Sequence, residues 1–265
     1  MPKSDLSGKT ILITGATGGF GREFTRQLLQ AGAHVILSGR DASMLDEMAH
    51  DYAVAPGESG ARVIGSVSAD LSDEKGCEAL HAGCTALVPD IDVLMYNAGV
   101  ITYGDFHEVP MARWQQLMEV NLLSAMRLTY LFLPAMLKRR RGHIVLVSSL
   151  AGVIATRQSA AYAASKFGMR GFGLSLYGEV HSSGIDVTII LPFWANTPLL
   201  RSTDYGSRPT RRVIRALVDS PADVVRESIR GIRRGKLIVY PGHAAKVLAF
   251  VNRFVQLIGS QGKGA

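Results

Sequence analysis

Short apolar runs rich in β-branched residues recur along this chain, and a longer segment with helical periodicity follows most of them. The first run is residues 9–14, and the helical segment behind it is residues 19–31. A continuous apolar run of this length that ends at glycines is typical of a strand buried on both faces of a parallel sheet. The alternation therefore predicts an α/β fold with a doubly wound, mainly parallel sheet of seven strands and helices on both faces.

The same pattern predicts the individual elements. The predicted strands are residues 9–14, 34–38, 62–67, 91–96, 143–148, 185–191 and 236–240. The predicted helices are residues 19–31, 43–54, 72–87, 111–140 and 159–181, with a kink expected at Pro134 in the fourth. Because no repeat or low-complexity linker interrupts the alternation, we expect one domain over residues 1–265. It would include a substrate loop at 193–220 and an amphipathic C-terminal helix at 243–259.

The composition argues against several classes of protein. The chain has 265 residues, of which 47% are hydrophobic and 19% are charged, as in globular proteins. Its first residues lack the apolar core of a secretory signal, and no uninterrupted apolar run has the length of a membrane span, so we expect a cytoplasmic protein. On one helix Cys77 and Cys84 would lie about 10 Å apart, too far for a disulfide, and we expect both to be reduced.

The formal net charge of +7 admits nucleic acid, an anionic membrane surface or a phosphate-rich ligand as a partner. Its densest cluster is residues 138–141, just before Gly142. We interpret this cluster as cations in the last turn of a helix that ends at a glycine cap, rather than as a nucleic-acid signal. The sequence has no basic–aromatic interleaving, no zinc-ligand spacing and no histidine metal motif. We therefore expect neither nucleic-acid binding nor a metal.

A glycine-rich turn follows the first predicted strand and reads T-G-A-T-G-G-F-G rather than the usual G-x-G-x-x-G. Glycine lets a backbone approach a pyrophosphate closely, and the following helix offers its N-terminal amides to the anion. Ligands bind at the carboxyl ends of parallel strands, so this turn is the expected phosphate site of a dinucleotide. The expected contacts are Thr14, which can also fix the turn by hydrogen bonding, Gly15, Thr17, Gly18, Gly19, Phe20 and Gly21.

The end of the second predicted strand, residues 38–41, should face the adenosine ribose of the dinucleotide. An acid there would bond the 2′-hydroxyl of NAD, whereas an arginine suits the 2′-phosphate of NADP. Gly39 stands where we would expect the acid, and Arg40 can pair with a phosphate. We therefore favour NADP(H) over NAD(H), with contacts from Ser38 and Arg40. Asp41 is the counter-argument, although it could instead cap the next helix.

Tyr162 and Lys166 lie four residues apart, which places them on one face of the predicted helix 159–181. An ammonium beside a phenol favours the phenolate, so we expect a lowered pKa for Tyr162 and proton transfer near neutral pH. Ser148 and Ser149 end the fifth predicted strand just upstream. A tyrosine–lysine pair alone is weak evidence, but it stands here with a preceding serine and a glycine-rich turn.

Together these residues resemble the short-chain dehydrogenase/reductase superfamily, from about residue 9 to residue 197. Ser149 precedes Tyr162 by thirteen residues, a spacing typical of that family. The resemblance implies a Rossmann-type fold and an NAD(P)-dependent dehydrogenase or reductase. Its matching parts are the turn at 14–21, Asp70-Leu71 after the third strand, Asn97-Ala98-Gly99 after the fourth, Asn121, Ser149, Tyr162 and Lys166.

The resemblance implies that Asn121, Ser149, Tyr162 and Lys166 form the catalytic group. Tyr162 would be the acid in reduction and the base in oxidation, and Ser149 would polarise the carbonyl by hydrogen bonding. Lys166 would hold the nicotinamide ribose and lower the pKa of the tyrosine. Asn121 would hold a water that links Lys166 to solvent.

For the cofactor, the resemblance implies that Asp70 bonds the adenine, Asn97 braces the sheet beside the cofactor and Thr197 bonds the nicotinamide carboxamide. The remaining expected contacts are Leu71, Ala98, Gly99, Tyr162, Lys166 and Pro192.

Two positions depart from the family pattern. Tyr96 replaces the first of two asparagines, and Phe193 follows Pro192 where glycine is usual. The bulky phenyl group could narrow the nicotinamide pocket, which bears mainly on Thr197.

The loops after the fourth, fifth and sixth strands should select the substrate. Their apolar residues suit either a hydrophobic substrate or ordinary packing of a lid. These loop residues are Ile101, Tyr103, Phe106, Val153, Ile154, Trp194, Leu199 and Leu200, with Arg157 among them. The last loop also carries arginines that suit either a solvated face or the attraction of an anionic substrate or a phospholipid surface. These are Arg201, Arg208, Arg211, Arg212 and Arg215.

The predicted C-terminal helix is amphipathic and too short to span a bilayer. It could pack on protein, which we favour, or lie on a membrane surface, which would make the protein peripheral to a membrane. Its apolar residues are Val247, Phe250, Val251, Phe254, Val255 and Ile258.

We therefore predict an NADP(H)-dependent oxidoreductase that interconverts a carbonyl and a secondary alcohol of an apolar small molecule. The alternatives are a non-enzymatic NADP(H)-binding regulatory or scaffold protein on the same fold, and an NAD-linked alcohol dehydrogenase. A serine hydrolase is disfavoured because the chain lacks a G-x-S-x-G motif. The helices at 111–140 and 159–181 resemble the dimer-forming pair of the family, so we expect a homodimer.

Overall fold

The structure is a computed structural model that describes residues 5–54, 60–201, 204–206 and 217–251. Its strands are β1 (Thr10–Thr14), β2 (His34–Gly39), β3 (Val63–Ser68), β4 (Val93–Tyr96), β5 (Tyr103–Gly104), β6 (Gly142–Val147), β7 (Ile185–Ile190), β8 (Asp204–Tyr205) and β9 (Ile238–Val239). Its α-helices are α1 (Gly19–Gln30), α2 (Ala42–Val54), α3 (Glu74–Leu87), α4 (Met111–Met118), α5 (Ser124–Arg139), α6 (Ala160–Val180) and α7 (Pro221–Arg233). A further helix, α8, covers residues 243–251.

Seven of the strands form one parallel sheet in the order β3-β2-β1-β4-β6-β7-β9. The predicted doubly wound sheet is thereby confirmed. The chain winds outwards from β1 in one direction and from β4 in the other. The crevice of such a sheet opens where the winding reverses, at the carboxyl ends of β1 and β4. The two remaining strands, β5 and β8, pair with each other in a small separate sheet.

Side chains of the central strands alternate between two hydrophobic cores, one on each face of the sheet. Leu12 and Leu94 point into the core covered by α3, α5 and α6. Ile11 and Val93 point into the core covered by α1, α2 and α7. Both faces are therefore buried, which explains why these strands read as continuous apolar runs rather than as an alternating pattern.

The predicted long helix at 111–140 is one continuous helix, Met111–Arg139, with a π-helical turn inside it. The turn Glu119–Leu123 is a π-helix between α4 and α5. Such a turn inserts one extra residue into the helix and is frequent at functional sites. Pro134, where we expected a kink, lies inside α5, and the π-turn contains Asn121. Composition did not predict it because the residues of the turn have ordinary helical preferences.

The basic cluster at 138–141 ends a helix as predicted, but the cap is a different residue. Arg140 takes the left-handed conformation with a φ of 52°, whereas Gly142 already belongs to β6. The side chain of Met136 packs closely on Gly142, where a Cβ would lie 2.6 Å from its sulfur. Arg139 and Arg141 pair with Asp90 and Asp92 at 2.5 and 3.2 Å.

The described stretch Met111–Arg139 has the length and hydropathy of a membrane span, with a mean hydropathy of 1.4. Core helices of globular proteins share these properties. Leu117, Leu128 and Phe132 on this stretch are buried in the protein core. These contacts account for part of the apolar composition, while other apolar residues of the stretch, such as Met126 and Tyr130, are exposed.

Cys77 and Cys84 are both free and buried on the same side of α3. Burial raises the pKa of the Cys77 thiol to about 11 and that of Cys84 to about 12. The thiols therefore stay protonated at neutral pH, and both cysteines lie on one helix as predicted.

His143 makes the fold sensitive to acid. Its Nε2 lies 2.8 Å from the hydroxyl of Thr188, which itself donates to the carbonyl of Lys236. The imidazole is therefore the donor to Thr188 and is neutral. Burial lowers the pKa of His143 to about 4 from its ordinary 6.5, against the attraction of Asp186.

Because the unfolded chain binds a proton on this residue between pH 6.5 and 4 and the folded chain does not, stability falls as the pH drops through that window. We expect His143 to cost about 2 kcal/mol of unfolding free energy between pH 7 and pH 5. Urea denaturation at the two pH values measures the loss, and His143→Leu should remove most of it. If the variant lost as much unfolding free energy between pH 7 and pH 5 as the unaltered protein, groups other than His143 would cause the acid sensitivity.

Candidate active site

Two adjoining cavities occupy the carboxyl ends of the central strands. The first, which we call the glycine cavity, has a volume of about 290 Å³ and lies between the glycine-rich turn, the end of β2 and the segment after β3. The second, the tyrosine cavity, has a volume of about 510 Å³ and contains Ser149, Tyr162 and Lys166. The two share six lining residues, so they form one continuous cleft. The shared residues are Phe20, Asn97, Gly99, Val100, Thr197 and Leu199.

The glycine-rich turn packs too tightly for side chains. The amide of Gly18 donates to the carbonyl of Gly15 at 3.1 Å, and Gly15 has a φ of 63°. A Cβ on Gly21 would lie 2.1 Å from the carbonyl oxygen of Gly15, and one on Gly19 would lie 2.7 Å from the methyl group of Thr197. The turn therefore brings bare backbone to the start of α1, where amides face the cavity.

Thr14 and Asn97 join the ends of β1 and β4. The Thr14 hydroxyl accepts hydrogen bonds from the amides of Asn97 and Ala98, both at 3.1 Å. In return the Asn97 amide group donates to the carbonyls of Thr14 and Gly15 at 3.1 and 2.9 Å. These bonds hold the floor of the cleft. Thr14 thus fixes the turn by way of β4.

The end of β2 presents a hydroxyl and a cation to the glycine cavity. Ser38 is buried, and its hydroxyl has no hydrogen-bond partner among the described residues. Arg40 is exposed and lines the same cavity. Asp41 accepts hydrogen bonds from Ser43 and from the amide of Met44, so its carboxylate caps α2. An orphaned buried hydroxyl, a cation and a bare glycine turn fit a phosphate-bearing dinucleotide.

Asp70 and Leu71 also line the glycine cavity, where they follow β3. The carboxylate of Asp70 accepts a hydrogen bond from the amide of Ser72 at 3.0 Å. This bond holds the carboxylate close to its own main chain.

Ser149 and Tyr162 face each other in the tyrosine cavity. The Ser149 hydroxyl accepts a hydrogen bond from the amide of Ala151 at 3.1 Å, which leaves its own proton to donate. Burial raises the pKa of Tyr162, and the hydrogen bond with Ser149 opposes that increase. Tyr162 packs with Ile101 and Leu117, so its ring is fixed while its hydroxyl meets the cavity.

Lys166 lies beside Tyr162 but does not lower the pKa of the tyrosine, contrary to the prediction from sequence. Its ammonium donates to the carbonyl of Val147 at 3.0 Å and lies 5.8 Å from the centre of the Tyr162 ring. Burial is the largest effect on the phenol and raises its pKa, against the hydrogen bond with Ser149. The same burial lowers the pKa of Lys166 to about 8, so the lysine can lose its proton close to neutral pH.

Asn121 connects the loop after β4 to α6. Its side chain accepts from the amide of Val100 at 2.8 Å and donates to the carbonyl of Val100 and to the Ser165 hydroxyl. Gly99 leaves room here, since a Cβ would lie 3.4 Å from the Asn121 oxygen and 3.7 Å from the Lys166 ammonium. The side chain of Asn121 is thus fully engaged within the protein.

Ser148, the alternative to Ser149, is turned towards the protein. Its hydroxyl is buried and donates to the carbonyl of Lys166 at 3.0 Å. Ser149 is more accessible and contacts Tyr162. The geometry therefore favours Ser149 for contact with a substrate.

The departures from the family pattern have local explanations. Tyr96 is buried in the core, with its hydroxyl 3.4 Å from that of Thr129. The carbonyl of Pro192 accepts from Leu150 at 2.8 Å, and Phe193 stacks on Trp194 with ring centres 4.6 Å apart. Pro192 and Phe193 line the tyrosine cavity, and Thr197 lines both cavities.

Most of the loop residues predicted to meet a substrate line the tyrosine cavity. Phe106 and Val153 do not: Phe106 is 56% exposed beside Trp114, and Val153 packs on the core. The lining residues are Ile101, Tyr103, Ile154, Arg157, Trp194 and Leu199. The side chains of Leu200 and of Arg201, Arg208, Arg211, Arg212 and Arg215 lie outside the described residues, as do Phe254, Val255 and Ile258.

One lining residue, Leu248 on α8, was missed from the sequence. The apolar stripe predicted for this helix runs through Val247, Phe250 and Val251, which are all exposed. The helix instead packs through Ala244 and Ala245, which are buried. The helical spacing of the large apolar side chains predicted that they form the buried face. No signal in the sequence indicates that the face with the alanines is the buried one.

Known proteins are similar to this chain in sequence and in fold. A family model described as short chain dehydrogenase matches residues 9–206. The dehydrogenase/reductase SDR family member 7B of Bos taurus is 36% identical over 191 residues, which are 71% of this chain and 58% of that protein. The chain thus matches less than two thirds of the length of that relative.

Solved structures are similar over nearly the whole chain. A short-chain dehydrogenase from Sphingobium yanoikuyae in complex with NADPH is 25% identical and has a TM-score of 0.79, with 97% of each chain covered. One from Burkholderia phymatum in complex with NAD is 23% identical and has a TM-score of 0.80, with coverage of 94% and 93%. The second likeness concerns the fold alone.

Proposed function

The chain belongs to the short-chain dehydrogenase/reductase superfamily, and on that premise we propose that it is an NAD(P)-dependent oxidoreductase that uses NADP(H) to interconvert a carbonyl and a secondary alcohol. One observation carries the proposal: the glycine cavity opens directly into the cavity that contains Ser149 and Tyr162. A dinucleotide bound along the turn would thereby reach the hydroxyl pair. The bound nicotinamide supplies or accepts the hydride.

The protein's part in the reaction is to orient the carbonyl and to move one proton. Ser149 donates a hydrogen bond to the carbonyl oxygen, since its own lone pair already accepts from Ala151. Tyr162 gives its proton to that oxygen in reduction and takes it back in oxidation. Lys166 replaces the proton of Tyr162 by way of a water, for which its lowered pKa of about 8 is suited.

The proposed cofactor contacts follow the two cavities. Backbone amides at Gly18 to Phe20 hold the pyrophosphate, Asp70 meets the adenine and Lys166 and Thr197 meet the nicotinamide half. Asn97 supports this floor from below. The side chain of Asn121 forms hydrogen bonds with Val100 and Ser165, and so it fixes the loop that carries Gly99 beside Lys166. Because these bonds occupy the side chain, we propose that the main chain of Asn121 binds the water that links Lys166 to solvent.

The oxidoreductase proposal is tested by incubating the protein with NADPH and a panel of aliphatic and aromatic ketones. The loss of nicotinamide fluorescence measures the oxidation of NADPH. We expect turnover with apolar ketones. Binding of NADPH without turnover of any carbonyl, or of any secondary alcohol with NADP⁺, would instead favour a non-enzymatic NADP(H)-binding role.

NADP(H) is the proposed cofactor because Arg40 and the orphaned hydroxyl of Ser38 line the glycine cavity while Asp41 is engaged as a helix cap. We expect NADPH to bind at least about tenfold tighter than NADH, a difference of about 1.4 kcal/mol, and Arg40→Ala to abolish most of that difference. Parallel fluorescence titrations of the two cofactors measure it.

A matched variant tests the same site in the opposite direction. A Cβ on Gly39 would make only ordinary contacts, at 3.4 Å from the Thr17 hydroxyl and 3.5 Å from Leu45. Gly39→Asp should therefore fold normally and place a carboxylate beside the ribose, so that NADH becomes the preferred cofactor when Arg40 is also removed. Equal binding of both cofactors by the unaltered protein would contradict the assignment of Arg40.

We further propose that the chain is one domain and a homodimer joined through α5 and α6. Exposed apolar side chains support this surface: Tyr130 is 80% exposed, and Met126 and Phe167 are each 41% exposed. Sedimentation equilibrium would show twice the chain mass, and a monomer at micromolar concentration would refute the dimer.

We propose an apolar substrate because Ile101, Ile154 and Leu199 line the tyrosine cavity, with Leu248 added by α8.

We also propose that α8 and the residues that follow it make peripheral contact with a membrane, since Val247 and Phe250 are 59% and 63% exposed. Flotation with phosphatidylserine vesicles tests this contact, and Phe250→Glu should weaken it.

A further inference from the structure

Arg157 is a cation on the wall of the tyrosine cavity, and it has no partner among the residues that the structure describes. It lies in the loop before α6, five residues ahead of Tyr162. The side chain is exposed and has no hydrogen bond or ion pair with any described residue. Arg127, by contrast, pairs with Glu119 at 2.6 Å. The guanidinium of Arg157 can therefore pair with an acidic group of a ligand that enters the cavity.

Most hydroxyl groups of the cavity are already engaged or assigned. The hydroxyls of Thr156 and Ser159 lie 3.0 Å apart, and Ser159 also donates to the carbonyl of Thr156. Ser148 bonds the backbone of α6. Ser149, Tyr162 and Lys166 belong to the proposed chemistry. Arg157 is thus the charged group that the oxidoreductase reaction itself does not use.

The described lining of the tyrosine cavity contains no aspartate or glutamate. Its charged members are Lys166 at the inner end and Arg157 in the loop. In a cleft with apolar walls, cations that no acid neutralises attract an anion more strongly than they would in open water. A cationic substrate would meet the opposite, repulsive field.

Resting on the proposed function, we infer that the substrate is an apolar ketone that carries an oxyanion, and that Arg157 binds this anion. The carbonyl lies at Ser149 and Tyr162, and the apolar body lies against Ile154 and Leu199. The guanidinium pairs with a carboxylate or a phosphate through two parallel hydrogen bonds. Arg157 is then a specificity-determining residue, because it contacts a remote group of the substrate and no reacting atom.

The test uses methyl ketones whose methylene chains, of several lengths, end in one of three groups: a carboxylate, its neutral primary amide or a phosphate monoester. The amide has nearly the shape of the carboxylate without its charge. With NADPH, we expect kcat/KM for the carboxylate or the phosphate to exceed that for the amide by about tenfold or more, mainly through KM. Comparison of the two anions identifies which oxyanion the site prefers.

Arg157→Gln should reduce the ratio of anion to amide to about one, and Arg157→Glu should invert it. Arg234→Gln is the matched control, because Arg234 is likewise an exposed arginine but lies at the end of α7 and does not line the cavity. It removes the same charge and should keep the ratio. Circular dichroism and the Kd for NADPH confirm that each variant folds.

A ratio near one in the unaltered protein, or a preference for the anions that survives Arg157→Gln, would overturn the inference. Turnover of the amides in that case would still support the proposed function. If no ketone were turned over, the proposed function would fail, and calorimetric binding of the same acids and amides to the unaltered protein and to Arg157→Gln would still decide the role of Arg157.

Discussion

Replacing Tyr162 with phenylalanine should lower kcat by about a thousandfold, because it removes the proposed proton donor while leaving the cavity intact. The ring of Tyr162 packs on Ile101 and Leu117, and phenylalanine preserves that packing. The Kd for NADPH should therefore stay within about threefold of its value in the unaltered protein. Steady-state kinetics and a fluorescence titration on the same preparation measure the two quantities.

Tyr177→Phe is the matched control for this substitution. Tyr177 lies on the same helix and stacks on His181 with ring centres 4.4 Å apart, away from the cavity. The control should keep full turnover. Turnover retained by Tyr162→Phe would remove Tyr162 from the reaction, and an equal loss in both variants would indicate damage to α6 instead.

Gly21→Ala should lower the free energy of unfolding by about 3 kcal/mol or more, because overpacking against backbone leaves no side chain to move aside. The new Cβ would lie 2.1 Å from the carbonyl oxygen of Gly15 and 2.6 Å from that of Ala16. The turn would have to open, so the Kd for NADPH should also rise by about tenfold or more. Urea denaturation and a fluorescence titration test the two effects.

Gly171→Ala provides the comparison for Gly21. It lies inside α6, and a Cβ there would meet nothing within 4 Å. Alanine should therefore stabilise the protein by about 0.5–1 kcal/mol, as expected for an unstrained helical position. If Gly21→Ala behaved like Gly171→Ala, the close packing of the turn could not be the reason for glycine.

The sequence was sufficient for the sheet because each central strand is buried on both faces and therefore reads as a continuous apolar run. It also led to the two walls of the cleft, since glycines after β1 and serines after β6 stand at the carboxyl ends of parallel strands. These features are local in the chain, and the sheet brings them together without further information.

The features that sequence reasoning missed depend on contacts between distant segments. The π-turn at Asn121 accompanies hydrogen bonds to Val100 and Ser165, which no helical pattern contains. Arg140 takes the left-handed cap position, while Gly142 packs against the side chain of Met136. Leu248 reaches the cavity because α8 packs through its small residues.

The pKa of Tyr162 is a third case, because spacing and environment predict opposite directions. The spacing on one helical face correctly placed Lys166 beside the tyrosine, but the ammonium donates to the carbonyl of Val147. Burial then dominates and raises the pKa of the phenol. A pattern of residue types can identify a pair, whereas the strength of their coupling depends on how deeply the fold buries them.

The central claim is that hydride transfer and proton donation by Tyr162 occur in one cleft. The most direct measurement supplies NADPH with deuterium at the transferable position and follows the label into the alcohol by mass spectrometry, for the unaltered protein and for Tyr162→Phe. We predict deuterium on the carbinol carbon of the alcohol from the unaltered protein and about a thousandfold less labelled product from the variant. Label on the alcohol at the same rate in both proteins, or NADPH binding without any labelled alcohol, would contradict the claim.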